Sequence, residues 1–398
     1  MQYRLDKRSG NELSVLGFGC MRFPRKVNGV DSRRTDELVR RAIELGVNYF
    51  DTAYLYPGSE GALGEALQRL GMRERVYIAT KLPLGQCRTT ADFGRLFRIQ
   101  LDTLNTDYID YYLMHNINSL DQWQELCTLG IREWIAEQKA AGSIREIGFS
   151  FHGAREQFVA VIEAYDWDFC QIQYNYANEH YQAGVEGLHL AASKGIAVMI
   201  MEPLLGGKLA NGLAPAARAQ FRNVNNNSPA VWGLRWLWNQ PEVTVVLSGM
   251  SEMSQLEDNV AAADDVHPDM LSASELAAYD KALEVFRASD RIPCTGCGYC
   301  MPCPAGVNIP GCFASHNASY SHGFIASYTM YVTSTAANRS SKALASSCIK
   351  CGKCEAHCPQ NIPIRKSLEE VTKHMEPFYF NGAMKVVRWW MRREKKAK

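Results

Sequence analysis

The chain has 398 residues, 46% of them hydrophobic and 21% charged, a length and mixture that suit two well-packed globular domains. Forty-three basic residues against forty-two acidic leave a net charge of +1, so bulk charge gives no case for a nucleic-acid role. No apolar run approaches the roughly 18 residues needed to span a bilayer, and Met1 to Gly10 holds no signal-peptide core. Thirteen cysteines then read as metal ligands and core residues in a reducing cytoplasm rather than as disulfides.

Polar turns and short β-rich runs alternate from the first residues. A hairpin is predicted at Tyr3–Leu5 and Glu12–Ser14, turning through Ser9-Gly10-Asn11. Strands follow at Val15–Phe18, Asn48–Phe50, Val76–Ala79, Tyr108–Leu113, Glu146–Phe149, Phe169–Gln173, Ala197–Met201 and Val243–Leu247. Segments of helical spacing lie between them. In 35–45, Leu38, Ala42 and Leu45 share a face and Gly46 stops the helix; 131–141 stops at Gly142 and 187–194 at Gly195, and 256–263 follows the last strand. Eight strand–helix units predict a (β/α)8 TIM barrel of the α/β class, with the hairpin plugging its bottom. A doubly wound open sheet is the alternative, but no G-x-G-x-x-G follows the first strand.

In such barrels the active site lies at the C-terminal ends of the strands. The second strand runs into Asp51-Thr52-Ala53-Tyr54-Leu55-Tyr56, the third into Lys81 and the fourth into His115. An acid, a phenol, an ammonium and an imidazole at one mouth suit proton donation to a carbonyl oxygen. A nearby ammonium favours phenolate, a carboxylate orients the ammonium, and an imidazole stabilises developing charge.

These residues carry a resemblance. The first 290 or so look like an aldo-keto reductase. The resemblance makes Asp51, Tyr56, Lys81 and His115 the catalytic tetrad, and the run from Phe50 to Gly64, with Glu60, resembles the family signature. Ile147-Gly148-Phe149-Ser150 resembles the family's G-x-S-N segment and implies that Ser150 contacts the nicotinamide carboxamide, although Phe151 stands where Asn is usual. Gln171 to Asn175 resembles the sixth-strand motif and puts Gln173 on the same group. Met201 falls where the family stacks Tyr on the nicotinamide. Glu202-Pro203-Leu204-Leu205-Gly206-Gly207 resembles the loop over the pyrophosphate, which implies contacts from Pro203, Leu204 and Gly206. Ser248, Gly249, Gln255 and Asn259 match the adenosine end. Gly249 and Gln255 stand where many members have Lys and Arg for the 2′-phosphate, so NADP and NAD both stay open. Asn259 is read either on the adenine or as a helix-end cap. The implied activity is NAD(P)H-dependent reduction of an aldehyde or ketone to an alcohol, or the reverse. Tyr54, Asn116, Trp123 and His152 are expected at the substrate, with packing of a helix the alternative for Trp123.

The chain then changes character. Residues 272–289 read as a helix, with Ser272 and Glu275 forming a capping box, that packs on the barrel. Two cysteine runs follow: Cys294-x2-Cys297-x2-Cys300-x2-Cys303-Pro304 and Cys348-x2-Cys351-x2-Cys354-x3-Cys358-Pro359. One C-x2-C fits zinc, a redox motif or chance. Two runs with Cys-Pro endings have the spacing of a two-cluster bacterial-type ferredoxin. That spacing assigns one [4Fe–4S] cluster to Cys294, Cys297, Cys300 and Cys358, and the other to Cys348, Cys351, Cys354 and Cys303. The first run has x2 before its last cysteine, so Cys312 is held in reserve, with a buried core residue the alternative. The 44 residues from Pro304 to Ser347 predict one or two inserted helices.

The sequence thus divides into a barrel at 1–290, a ferredoxin-like domain at 291–376 and a tail at 377–398. In the tail, Asn381 to Lys398 has seven basic residues against one acidic, with Met384, Val387, Trp390 and Met391 on one helical face. Such a helix suits peripheral contact with an anionic membrane or an acidic partner; the alternative is a solvated terminal helix. For the whole chain, a carbonyl reductase with structural or regulatory clusters competes with an electron-transfer protein linking the barrel to a ferredoxin or membrane partner. In a third reading the barrel is a scaffold for an electron carrier.

Overall fold

A computed structural model of the chain describes residues 1–321, 323–337, 343–378 and 380. The chain forms two compact units, residues 1–204 with 230–272, and residues 205–229 with the chain from 273 on.

The first unit opens with the expected hairpin: β1 (Tyr3–Leu5) pairs antiparallel with β2 (Glu12–Ser14), Tyr3 opposite Ser14. After β3 (Leu16–Gly19) comes a short ribbon of β4 (Arg25–Lys26) and β5 (Gly29–Val30), which the sequence did not signal. Seven more strands follow: β6 (Tyr49–Asp51), β7 (Tyr77–Leu82), β8 (Ile109–Met114), β9 (Ile144–Phe151), β10 (Phe169–Gln173), β11 (Ala197–Met201) and β12 (Val245–Ser248). With β3 they close a parallel barrel in chain order. All eight expected strands are present in it.

Strand β8 shows why these sequences make barrel strands. Tyr111 and Leu113 face the interior, packed with Tyr49, Phe169 and Met199, while Tyr112 and Met114 face the surrounding helices. Both faces are buried, as a parallel sheet between a filled centre and a helical ring requires. The hairpin closes the bottom: Leu13 joins the interior cluster, and the Tyr111 hydroxyl donates to Asp6 at 3.0 Å and accepts from Asn11 Nδ2 at 3.1 Å.

The outer helices are set by caps and close contacts. Helix Ser32–Glu44 begins at Asp31, whose carboxylate accepts from the Arg34 N–H, earlier than the predicted start at Thr35. Helix Thr90–Leu104 starts in a Thr89/Asp92 capping box. Helix Ser59–Leu70 lies so close to this neighbour that a Cβ on Gly64 would sit 2.5 Å from the Leu104 backbone.

In the second unit, helices Pro215–Arg222 and Ala273–Ser289 pack together, with the Phe221 and Tyr279 rings 5.4 Å apart. Helices Ile309–Ser321, Phe324–Tyr331 and Ile364–Met375 surround a core that includes Val307, Phe313, Leu368 and Val371. The first two fill the spacer between the cysteine runs, where one or two helices were expected. Helix Ala273–Ser289, expected with the barrel, groups with this unit, and so does the segment 205–229. The helix groups there because its packing partner, Pro215–Arg222, comes from within the barrel sequence. Cys312 is fully buried in this core. The helix read at Asn381–Lys398 lies outside the described residues. Among the described residues no helix is long and apolar enough to cross a membrane.

Candidate active site and cysteine centres

Three adjacent strands deliver the expected tetrad to one place. Asp51 is the last residue of β6, Lys81 lies near the end of β7, and His115 follows β8 with its N–H on the Leu82 carbonyl at 3.2 Å. Tyr56 comes from the loop after β6. That loop is tight: the Tyr56 N–H donates to Ala53 O, the Thr52 and Ser59 hydroxyls lie 2.8 Å apart, and Ser59 Oγ donates to Cys20 O. Lys81 Nζ donates to Asp51 Oδ1 at 2.6 Å and to Thr52 O at 2.7 Å, and lies 5.1 Å from the Tyr56 ring centroid. The Tyr56 and His115 rings meet edge to face, 6.1 Å apart at 88°.

Burial sets the electrostatics here. It pushes the Asp51 carboxyl up, and the Lys81 ammonium opposes that shift. Burial also lowers His115 well below the usual imidazole range, and Lys81 and then His152 add to the effect. His115 is therefore neutral near pH 7, able to hydrogen-bond an oxygen without adding charge.

Behind the tetrad lies a buried polar network that sequence reasoning did not identify. Glu60 accepts from Thr80 Oγ1 at 2.5 Å and from Gln100 Nε2 at 2.7 Å. Gln100 also reaches the Lys81 carbonyl at 3.1 Å and accepts from the Tyr112 hydroxyl at 2.7 Å. This arrangement fixes the backbone that carries Lys81. The available signal was a glutamine on the apolar stripe of Phe93, Leu96, Phe97 and Leu104.

The residues matched to cofactor contacts lie on the next strands round the barrel, β9 to β12. Ser150 Oγ accepts from the Asn116 N–H at 2.9 Å, and Gln173 Oε1 accepts from Gln182 at 3.2 Å. Phe151 is buried against Phe158 in the apolar core. Met201 ends β11, beside Gln173 in register. Beyond it, Glu202, Leu205, Gly206 and Gly207 all have positive φ, and Pro203 is buried between Glu202 and Leu204. Gly206 belongs to the second unit. Among the residues matched to the adenosine end, Asn259 Nδ2 donates to Ser248 Oγ at 3.1 Å. Gln255 accepts from the Ser251 and Glu252 N–H groups, so it caps helix Met253–Ala262. Two cations missed in the sequence stand here: the Arg22 side chain lies over Gly249, 3.1 Å from where a Cβ would sit, and Arg34 pairs with Glu252. The donor set therefore suits a nicotinamide dinucleotide, with amide and hydroxyl groups at one end and a cation at the other.

Of the residues expected at the substrate, Trp123 is corrected. It is fully buried and meets Trp167 at a tilt, 4.7 Å between ring centroids, and Tyr165 edge-on at 5.2 Å, holding helix Leu120–Thr128 in place. Its indole is too large to leave that aromatic cluster without opening a cavity. Tyr54 and Asn116 are half-buried near the mouth, and His152 is buried.

In the second unit, Cys294, Cys297, Cys300 and Cys358 line one cavity, walled by Phe313 and Ile362. Burial pushes the Cys294 thiol up to about 11 and Cys300 to about 12. Cys354 lies within electrostatic reach of Cys348 and Cys303, and the Lys350 N–H points at Cys348 Sγ at 3.4 Å. Among the described residues no three His, Cys, Asp or Glu side chains converge closely enough for a single metal ion. The first four thiols surround a space, as ligands of a polynuclear cluster do.

Residues 15–284 match the family model described as the aldo/keto reductase family, and residues 293–362 match that of a 4Fe-4S dicluster domain. L-galactose dehydrogenase of Arabidopsis thaliana is 27% identical over 303 residues, covering 69% of this chain and 92% of that protein. L-glyceraldehyde 3-phosphate reductase of Escherichia coli K12 is 24% identical over 330 residues, covering 71% and 92%. Among solved structures, an aldo-keto reductase of Bacillus halodurans has a TM-score of 0.59 at 24% identity, over 71% of this chain and 96% of that one. A Klebsiella pneumoniae aldo-keto reductase in complex with NADPH has a TM-score of 0.58 at 24% identity, over 71% and 95%. With its closed barrel and a family match over 15–284, the chain belongs to the aldo/keto reductase family and is an oxidoreductase.

Proposed function

We propose that the protein reduces the carbonyl of an aldehyde or ketone to an alcohol, or runs the reverse reaction, with NAD(P)H. The observation that carries this reading is Lys81, buried between Asp51 and the Tyr56 ring at the barrel mouth. The bound nicotinamide supplies hydride. Tyr56 gives the proton to the carbonyl oxygen, and the Lys81 ammonium favours the phenolate left behind. Asp51 holds Lys81 in place through their ion pair. Neutral His115 orients the substrate oxygen. Ser150 and Gln173 hold the nicotinamide amide, with Met201 against its ring, and Pro203 and Leu204 lie along the pyrophosphate. Ser248, Gly249, Gln255 and Asn259 form the adenosine end. NADP is favoured over NAD because Arg22 lies over Gly249, and a relative of this fold is known with NADPH.

Two [4Fe–4S] clusters complete the reading, one held by Cys294, Cys297, Cys300 and Cys358, the other by Cys303, Cys348, Cys351 and Cys354. When bound, such clusters supply one-electron chemistry. A cytoplasmic setting suits a chain in which eight of thirteen cysteines stand in cluster-ligand spacing.

A second reading links the barrel to an external one-electron partner such as a ferredoxin. It is favoured by Cys351, the one exposed thiol of the eight, next to Ile349 at 67% exposure.

Anaerobic titration with NADPH and NADH separately tests both. Nicotinamide fluorescence should report tighter binding of NADPH, followed by oxidation when an aldehyde is added. Bleaching of cluster absorbance by the nucleotide alone would favour the second reading. No binding of either nucleotide would overturn the carbonyl-reductase reading.

A further inference from the structure

His152 is the first residue after β9, on the strand next to the one that presents His115. Its backbone is pinned: the N–H donates to Asn118 Oδ1 at 3.0 Å, and the chain then passes so close to Asn118 that a Cβ on Gly153 would meet the Asn118 carbonyl oxygen at 2.1 Å. The side chain is buried, with 6% of the residue exposed, and burial lowers its imidazole to about 4, so it is neutral near pH 7.

A chain of amides fixes which nitrogen carries the proton. Gln182 Nε2 donates to Gln173 Oε1 at 3.2 Å. Gln182 Oε1 is therefore the atom that faces His152 Nδ1, also at 3.2 Å, and an oxygen there can only accept. The imidazole must donate from Nδ1, which leaves Nε2 as a bare acceptor. Gln182 is held for this in a left-handed conformation, φ 57°, that non-glycine residues adopt at a cost. All three side chains are buried. His152 is near enough to His115 for the two imidazoles to influence each other. Among the described residues Nε2 has no partner, so its acceptor is free for a bound molecule.

We infer that His152 Nε2 accepts a hydrogen bond from a substrate hydroxyl on the carbon next to the carbonyl, which makes 2-hydroxy aldehydes and ketones the preferred substrates. This rests on the carbonyl-reductase reading above. An acceptor with no donor to give can take a hydroxyl but rejects a second carbonyl oxygen or a carboxylate. A deoxy substrate would cover that nitrogen without giving it a donor, and sites built to bond a hydroxyl discriminate strongly against analogues lacking it.

The test compares kcat/KM for 2-hydroxypropanal with that for propanal, which differ by one hydroxyl. The wild type should favour the hydroxyaldehyde by about ten- to a hundredfold. His152→Phe should bring the ratio close to one, mainly through KM for the hydroxyaldehyde. Gln182→Leu, which keeps the imidazole but frees its tautomer, should lower the ratio by about threefold to tenfold, and it carries the decision if His152→Phe does not fold. Nicotinamide fluorescence with NADPH checks that each variant is intact. A wild-type ratio near one with propanal reduced, or an unchanged ratio in a folded His152→Phe, overturns the inference and leaves the carbonyl-reductase reading standing. Reduction of neither aldehyde by a protein that binds NADPH overturns both.

Discussion

Lys81 reaches from β7 to Asp51 at the end of β6 and closes a 2.6 Å ion pair in which both side chains are almost wholly buried. Two further contacts make this pair more than a structural tie. Nζ also donates to the Thr52 carbonyl, and it sits under the face of the Tyr56 ring. The loop that turns Tyr56 back over Lys81 is thus anchored on the ion pair itself.

Tyr56→Phe should lower kcat for carbonyl reduction by about a hundred- to ten-thousandfold, the usual worth of a positioned proton donor. The ring stays, so packing against His115 and nucleotide affinity should be little changed. Steady-state kinetics with fluorescence titration measures both; wild-type turnover in this variant would remove Tyr56 from the mechanism.

Lys81→Met should be inactive and less stable by about 3–5 kcal/mol, because Asp51 is left buried without its counter-charge. Adding Asp51→Leu should recover much of the stability and none of the activity. Denaturant unfolding of the single and double variants separates the two effects.

Glu146 should make stability fall as pH rises. Burial, and then the Asp168 carboxylate beside it, push its carboxyl from 4.5 up to about 7. A raised folded-state pKa means that protonation favours the fold, so the contribution is complete below about pH 4.5 and is lost as pH rises through about 7. Glu146 is half-buried, so solvent screening reduces the effect to about 1 kcal/mol. Glu146→Gln should melt higher than wild type at pH 8 and equal to it at pH 5.

Cys358→Ser should remove about half of the iron and acid-labile sulfide, since Cys358 lines the cavity with Cys294, Cys297 and Cys300. Cys312→Ser should keep the full complement while costing stability, because that thiol sits in the apolar core. Equal iron loss in the two variants would assign Cys312 to a cluster.

The meeting of Asp51, Lys81 and His115 was legible because each stands at or just past the end of a predicted strand, and barrel geometry alone brings β6, β7 and β8 side by side, with Tyr56 carried in by the loop after β6. The hairpin was legible from its turn, although its hold on Tyr111 was not. Trp123 misled because a large aromatic after a barrel strand suits a substrate loop and a helix clamp equally, and only Trp167 and Tyr165 decide between them. Gln255 was read toward the nucleotide, and no sequence signal showed that its amide oxygen also caps a helix. Arg22 went unread because nothing local says that it lies over Gly249, more than two hundred residues away. Such contacts are properties of the closed barrel and not of any window of sequence.

The second unit takes residues 205–229 from the middle of the barrel sequence, so the chain passes between units three times. No single cut can therefore separate the reductase from the cysteine-rich half. Excision after residue 290 would strip the cysteine region of helix Ala273–Ser289, and a cut at 272 would leave helix Pro215–Arg222 behind without it. A gene splitting this enzyme into two polypeptides, or one fusing its iron–sulfur end to another barrel, would have to exchange both segments together.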